Sequence, residues 1–416
     1  MDSNTFLLIV AILAGIYMAC NIGANDVANS MGTSIGSKSL TFRQAILVAA
    51  AAEFAGAFFV GGHVTNTIRK GMLDPNIFQD VPLHLVYGMI SALVASAIWL
   101  HIASYLGWPV STTHSIVGAV VGFGMAAGGW GAVSWIKVGA IVLSWIISPA
   151  LGGIVAFLLF RMITRMIFKT RRPLDHAKKV IPYLVFLVLF ILSQSMVYKG
   201  LKNLHLDLSF QTAILISSLA GLVGFYGSKW LIQNQEEPPP EDLRGQFQAT
   251  ENIFKYLQMI TAFYVAFAHG SNDVANAVGP LAAVVSILHE GTVQMKVEMP
   301  GWILGLGGGC IVIGLFVWGA RVIATVGGKI TEITPSRGFS AEFGAATVVL
   351  ICSKMGLPIS TTHTLVGSVI GVGLARGLPT LNLSIIKMIL VSWFSTIPFT
   401  AFLSVILFKI MVYSLS

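Results

Sequence analysis

Of 416 residues only 42 are charged (25 basic plus 17 acidic, or 10%), 55% are hydrophobic, and the mean hydropathy is +0.82. A soluble chain carries about a quarter charged residues, so this composition excludes an ordinary soluble enzyme, a disordered chain and an acidic tail protein. The net charge of +8 suggests nucleic acid, but its placement argues otherwise. Between Arg161 and Lys179 lie Arg161, Arg165, Lys169, Arg171, Arg172, Lys178 and Lys179 against the single acid Asp175, which is a positive-inside signature that puts this loop in the cytoplasm.

In chain order, apolar stretches fall at 5–22, 42–62, 83–106, 110–127, 136–160, 181–198 and 211–232. Each is long enough, at about twenty residues, to cross a hydrocarbon layer about 30 Å thick. The first has no basic region before it and no small-residue cleavage site after it, so it reads as a retained helix rather than a signal peptide. Gln233 to Lys255 then reads as a cytoplasmic linker, because three consecutive prolines and clustered acids oppose a membrane helix. Five further segments follow near 257–280, 300–325, 340–355, 359–375 and 384–412, the last with Pro398 inside it. The fold class expected is an all-α polytopic membrane protein of about twelve transmembrane helices. Trp99, Trp108, Trp130 and Trp135 fall near span ends and read as interfacial anchors. Arg69, Lys70, Lys329, Arg337 and Arg376 read as loop charges, and Cys20, Cys310 and Cys352 as small apolar fillers.

An internal repeat organises these spans. Asn21-Ile-Gly-Ala-Asn-Asp-Val-Ala-Asn-Ser-Met-Gly32 matches Ala268-His-Gly-Ser-Asn-Asp-Val-Ala-Asn-Ala-Val-Gly279 at seven of twelve positions with an offset of 247. Gly107-Trp-Pro-Val-Ser-Thr-Thr-His-Ser-Ile-Val-Gly118 matches Gly356-Leu-Pro-Ile-Ser-Thr-Thr-His-Thr-Leu-Val-Gly367 at eight of twelve with an offset of 249. Two long matches in the same order mean duplication. The division expected is a first repeat over 1–160, a basic loop, two linking spans and the linker over 161–256, and a second repeat over 257–416. About five spans per repeat is an odd number, so the copies are inverted, with half-helices at the midplane and both termini outside. Inverted repeats supply the two facing states of a secondary transporter.

A charged aspartate inside an apolar span is expensive and calls for a partner or an ion. Asp26 and Asp273 are such residues. Asn25 and Asn29, like Asn272 and Asn276, stand four apart and share a helical face, so amide and carboxylate oxygens cluster as a hard cation such as sodium requires. The flanking glycines and Pro280 predict that the helices break there. Alternatively, the asparagines glue helices together by hydrogen bonds. In the second motif Ser111 and Ser360 are candidate helix N-caps. With the hydroxyls of Thr112, Thr113, Thr361 and Thr362 they form an uncharged, donor-rich cradle for a tetrahedral oxyanion. Back-bonding of those hydroxyls to their own helices is the bland alternative. His114 and His363 brace the half-helices or shuttle a proton. Glu53 lacks an obvious basic partner and serves a cation or a gate; Glu342, near a span start, fits the interface.

The paired G-x-N-D-V-A-N and P-[VI]-S-T-T-H motifs resemble the inorganic phosphate transporter family of ion-coupled symporters, over nearly the whole chain. The resemblance implies uptake of phosphate with sodium or, in many bacterial members, with protons. It places Asn25, Asp26, Asn29, Asn272, Asp273 and Asn276 in the first signature and Ser111 to Thr113 and Ser360 to Thr362 in the second. The large central loop of animal members is absent, and Asn66 stands where those relatives carry a glutamate; both departures favour a prokaryotic member. The expectation is a sodium-coupled phosphate importer of the inner (plasma) membrane that is not an enzyme and has no resident cofactor. Its partners are phosphate, sodium and lipid, with no nucleic acid and with a homodimer as the assembly. A proton-coupled carrier or a sulfate permease is the alternative, because a donor-only cradle does not separate the two anions. An intramembrane hydrolase using Ser111, His114 and Asp26 is disfavoured, since a duplicated catalytic site has no catalytic rationale. A channel is disfavoured by the two-fold related broken helices.

Overall fold

The computed structural model describes residues 2–62, 72–199, 208–235, 237–239, 241–293, 300–319, 322–323 and 330–415, with the side chains of 27–29, 75, 198 and 199 outside the description. Among the described residues twelve α-helices follow one another: α1 (Ser3–Gly36), α2 (Phe42–Val60), α3 (Pro82–Leu106), α4 (Thr112–Gly128), α5 (Trp135–Ile163), α6 (Pro173–Lys199), α7 (Phe210–Gln233), α8 (Leu243–Glu290), α9 (Gly301–Trp318), α10 (Pro335–Lys354), α11 (Thr361–Arg376) and α12 (Leu383–Leu415). Nine of them are long and apolar enough to cross a membrane. The other three are α4, α10 and α11.

Local chemistry sets the helix ends. Asp2 caps α1 by accepting from the Thr5 amide, Thr41 and Gln44 form a reciprocal capping box on α2, and Ser209 and Asp242 cap α7 and α8. Such caps satisfy amides that have no partner in the first turn. Gly107 after α3 and Gly356 after α10 take left-handed φ values of 70° and 72°, which glycine adopts at little cost. Both open short turns that send the chain back as α4 and α11, so each duplicated Ser-Thr-Thr-His motif sits at the tip of a helical hairpin.

Three sequence expectations change. The helices do not break at the Asn-Asp motifs: α1 runs unbroken past Gly23 and Gly32, and α8 past Gly270, Gly279 and Pro280. The glycines serve close helix crossings instead. A Cβ on Gly23 would strike the Ile311 carbonyl of α9, and one on Gly270 the Glu53 carbonyl of α2. The expected linker is also shorter, because α8 starts at Leu243, just after the prolines. Its first turns bury Gln246, Thr250, Ile253 and Phe254. Trp99 is an internal residue, 6% exposed, whose indole N–H donates to Thr396 Oγ1 at 3.0 Å. Trp130 is exposed and stacks on Trp135 with centroids 4.1 Å apart.

Helix packing respects an exchange of the two repeats. The pair α1–α9 matches α8–α2, α4–α12 matches α11–α5, and α3–α12 matches α10–α5. On α4, Gly118 and Gly122 lie against the backbone of Ile397 and Ala401 in α12; on α11, Gly367 and Gly371 lie against Pro149 and Gly153 in α5. The hairpin of each half is therefore clasped by the last helix of the other. Between the halves, α6 and α7 pack on each other and α6 reaches α8. Lys178 of α6 donates to Glu237 at 2.7 Å and holds this carboxyl below its usual range. Arg337 and Arg376 both pair with Glu332.

Gly23→Ala forces a methyl against a backbone carbonyl, and overpacking of this kind costs about 1–3 kcal/mol. Gly139→Ala in α5, with nothing within 4 Å of the added carbon, leaves stability unchanged. Thermal unfolding of the two variants in detergent compares them; equal midpoints would contradict the close crossing.

Candidate functional site

The two hairpin tips meet head to head. Thr113 donates to the Ile359 carbonyl at 3.0 Å and Thr362 to the Val110 carbonyl at 3.2 Å, and each bond maps onto the other at the 249 offset. Ser111 Oγ accepts from the His114 amide and Ser360 Oγ from the His363 amide, both at 3.1 Å. A hydroxyl that accepts a cap bond still has its own O–H to donate.

Each tip is latched to the Asn-Asp helix of its own half. The Asn25 amide donates to Ser104 Oγ (3.2 Å) and the Trp108 carbonyl (3.1 Å), and its oxygen accepts from the Val110 amide at 3.2 Å. In the other half the Asn272 amide donates to the Ile359 carbonyl at 2.9 Å and its oxygen accepts from Ser353 Oγ at 3.2 Å. The polar groups of both asparagines are thus engaged by hairpin backbone and serine.

Asp26 meets the opposite tip, and Asp273 meets both tips. Thr362 donates to Asp26 Oδ1 at 3.2 Å. Asp273 accepts from Thr361 at 2.6 Å, from Asn272 at 2.8 Å and from Thr113 at 3.4 Å. The Asn276 amide donates to Thr112 and Thr113 Oγ1, each at 3.2 Å, while its own oxygen is buried without a partner. Threonine hydroxyls from both tips and carboxylates from α1 and α8 therefore share one site, with Asp26, Thr113 and Asp273 fully buried. The Asn29 side chain and Asn66 lie outside the described residues.

His269 is the residue that sequence reasoning missed. Its Nε2 lies 2.8 Å from Asp273 Oδ2 and 3.3 Å from Asp26 Oδ2, and its Nδ1 lies 3.2 Å from Glu53 Oε1. Glu53, for which the sequence offered no partner, also accepts from Ser30 at 3.0 Å. A signal was present, because His269 replaces Ile22 of the first copy and stands four residues before Asp273. Asp26, His269 and Asp273 each offer an atom within 4.8 Å of the others, as a cation site would need. Three carboxylates around one imidazole, if ionised, carry an excess of negative charge even against a protonated ring, and buried charge is costly unless neutralised.

Two further clusters support the site. His114 and His363 stand back to back with centroids 4.2 Å apart, flanked by Trp145 (3.7 Å from His114) and Trp393 (3.4 Å from His363). Sequence reasoning assigned no role to these tryptophans. Glu342 is fully buried rather than interfacial. Its carboxylate accepts from Thr33, Ser34 and Thr261 at 2.6 Å and from Gln258 at 3.0 Å, tying α1, α8 and α10 together.

A model of the phosphate transporter family matches residues 22–404. The chain belongs to that family. Members are transporters and not enzymes, and the chain is a multi-pass membrane protein. Among relatives, a Haemophilus influenzae protein named "Putative phosphate permease" is 45% identical over 98% of this chain and 97% of its own length. The Arabidopsis thaliana "Inorganic phosphate transporter 2-1, chloroplastic" is 46% identical over 95% of this chain and 70% of its own. A solved structure described as "The sodium-dependent phosphate transporter" superposes with a TM-score of 0.92 at 42% identity, covering 99% of this chain and all of the other.

Ser111→Ala removes the α4 cap and lowers stability by about 1 kcal/mol, whereas Ser111→Thr keeps most of it. Detergent melting curves measure the difference; an unaltered Ser111→Ala midpoint would show that the cap carries no energy.

Proposed function

We propose that the chain imports inorganic phosphate by symport with sodium across the inner (plasma) membrane, through alternating access between two inverted repeats. The observation that carries this reading is the convergence of hydroxyls from both hairpin tips on carboxylates that outnumber the one imidazole among them. Hydroxyls of Ser111, Thr112, Thr113, Ser360, Thr361 and Thr362, with the amide ends of α4 and α11, hold the anion. Asp26, Asn29, Asp273 and Asn276 supply cation ligands, while Asn25 and Asn272 hold the tips in place. Phosphate, which keeps a proton at neutral pH, donates to Asp26 or Asp273; sulfate cannot, and this favours phosphate.

Sodium ions neutralise the excess carboxylate charge and let a dianion approach. The similar solved structure is described as sodium-dependent, in agreement with this assignment. The exchange of equivalent helix pairs supports alternating access, with both termini outside when the 161–179 loop is cytoplasmic. Two copies form a dimer through lipid-facing helices outside the site. Proton coupling is the second reading, favoured by His269 among three carboxylates.

Uptake of labelled phosphate into proteoliposomes tests the reading directly. Accumulation under an inward sodium gradient is expected, with little under a pH gradient alone and with weak competition by sulfate; uptake indifferent to sodium would overturn the coupling. Asp273→Asn, at preserved expression and melting temperature, lowers sodium-driven uptake by at least about tenfold, the equivalent of about 1.4 kcal/mol. Wild-type uptake by this variant would remove Asp273 from the ion site.

A further inference from the structure

A cavity outside the threonine and aspartate cluster shares a wall with it. Its volume is about 350 Å³, and Asn21 of α1, His101, Ser104 and Tyr105 of α3, and Trp318 of α9 line it. Ser104 in its lining accepts from the Asn25 amide at 3.2 Å, and Asn25 is one residue from Asp26. His101 is exposed and lies between Tyr17 (centroids 6.1 Å apart) and Trp318 (5.8 Å, edge-on).

Exchange of the halves shows that the opening is one-sided. Ser353 takes the place of Ser104 and bonds Asn272 as Ser104 bonds Asn25, but Ala268 stands for Asn21, Leu350 for His101 and Tyr264 for Tyr17. Tyr264 and Ala268 are 0% exposed and Leu350 5%, so the equivalent space is filled. On the open side Asn21 and His101 add polar groups, while Tyr105 stands where the other half has the exposed Lys354. An imidazole facing lipid is costly, which argues that this cavity opens to water. The side chains named here bring hydroxyl, imidazole, indole and amide groups and no carboxylate, a donor set suited to a hydrated oxyanion.

We propose that this cavity is a second phosphate subsite, in which the anion sits still partly hydrated on one side of the Asn25–Ser104 latch, whose release connects it to the threonines. The inference rests on the phosphate-transport reading and adds a second binding place to it. Its ligand is the same tetrahedral oxyanion, held by neutral donors, and its location assigns the open face of this structure to the first repeat.

His101→Cys and Tyr105→Cys, reconstituted in vesicles and treated with a charged, membrane-impermeant thiol reagent, test it, with the parent's own three cysteines setting the baseline. Both are modified, and Leu350→Cys is not. In sodium-free medium, inorganic phosphate at ten times its dissociation constant slows modification by roughly tenfold, since about one site in eleven is then empty. Modification by a membrane-soluble maleimide alone would make the surface lipid-facing, and modification at a rate indifferent to phosphate would make the cavity a mere water pocket; either overturns the subsite. Sodium-driven uptake by vesicles of the parent protein separates the two claims: absent uptake refutes the transport reading, whereas parent uptake with unprotected cysteines in the variants refutes the subsite alone.

Discussion

Three carboxylates, Asp26, Glu53 and Asp273, share one imidazole, His269, in an interior with no exposure to solvent. Desolvation of several like charges at one point is a constraint that few folds tolerate, and here the surroundings are arranged around it. Serine and threonine hydroxyls from α1 and from both hairpins donate to the oxygens, yet hydroxyls soften negative charge without cancelling it. In the proposed function, cations or protons complete the neutralisation and the same centre then accepts an anion. Coupling of an anion to a cation is, on this account, a consequence of electrostatics before it is one of motion.

The two-fold exchange of the helices explains how such a centre is held and where it departs from symmetry. Hairpin tips meet through the matched bonds of Thr113 with Ile359 and Thr362 with Val110. Glycines bring α1 onto α9 and α8 onto α2 at equivalent crossings. At the first crossing the neighbouring residues are Ile22 and Ile311; at the second they are His269 and Glu53. An apolar pair in one half and an ionisable pair in the other make the buried cluster lopsided inside a nearly symmetric scaffold. The cavity beside Asn21 and His101 has the same character, since its counterpart is closed by Ala268, Leu350 and Tyr264. Duplication supplies the matched scaffold, and a few divergent residues make its two halves unlike.

Much of this was legible in the sequence. Hydropathy gave the helices, the two offsets gave the repeat, and the proline and serine before Thr112 and Thr361 marked the starts of α4 and α11. Local patterns mislead where glycine is concerned, because a glycine that permits a break and a glycine that permits a close crossing look alike in one dimension. Gly23 and Gly270 belong to the second kind, and only the approach of Ile311 and Glu53 reveals it. Partners distant in the chain were also hidden. Glu53 meets a histidine more than two hundred residues away, and Glu342 collects hydroxyls from Thr33 and Ser34 at a similar remove. Asn25 and Asn272 illustrate a subtler gap: their spacing suggested ligands, while their amides hold the hairpin tips.

The central claim is that the buried carboxylates exclude phosphate until cations neutralise them. Equilibrium binding of labelled phosphate to the detergent-solubilised protein, in sodium and in choline at equal ionic strength, tests it without any transport step. The account predicts two saturable components in sodium and one in choline, the survivor being the cavity beside Asn21 and His101; identical binding in the two media would contradict it.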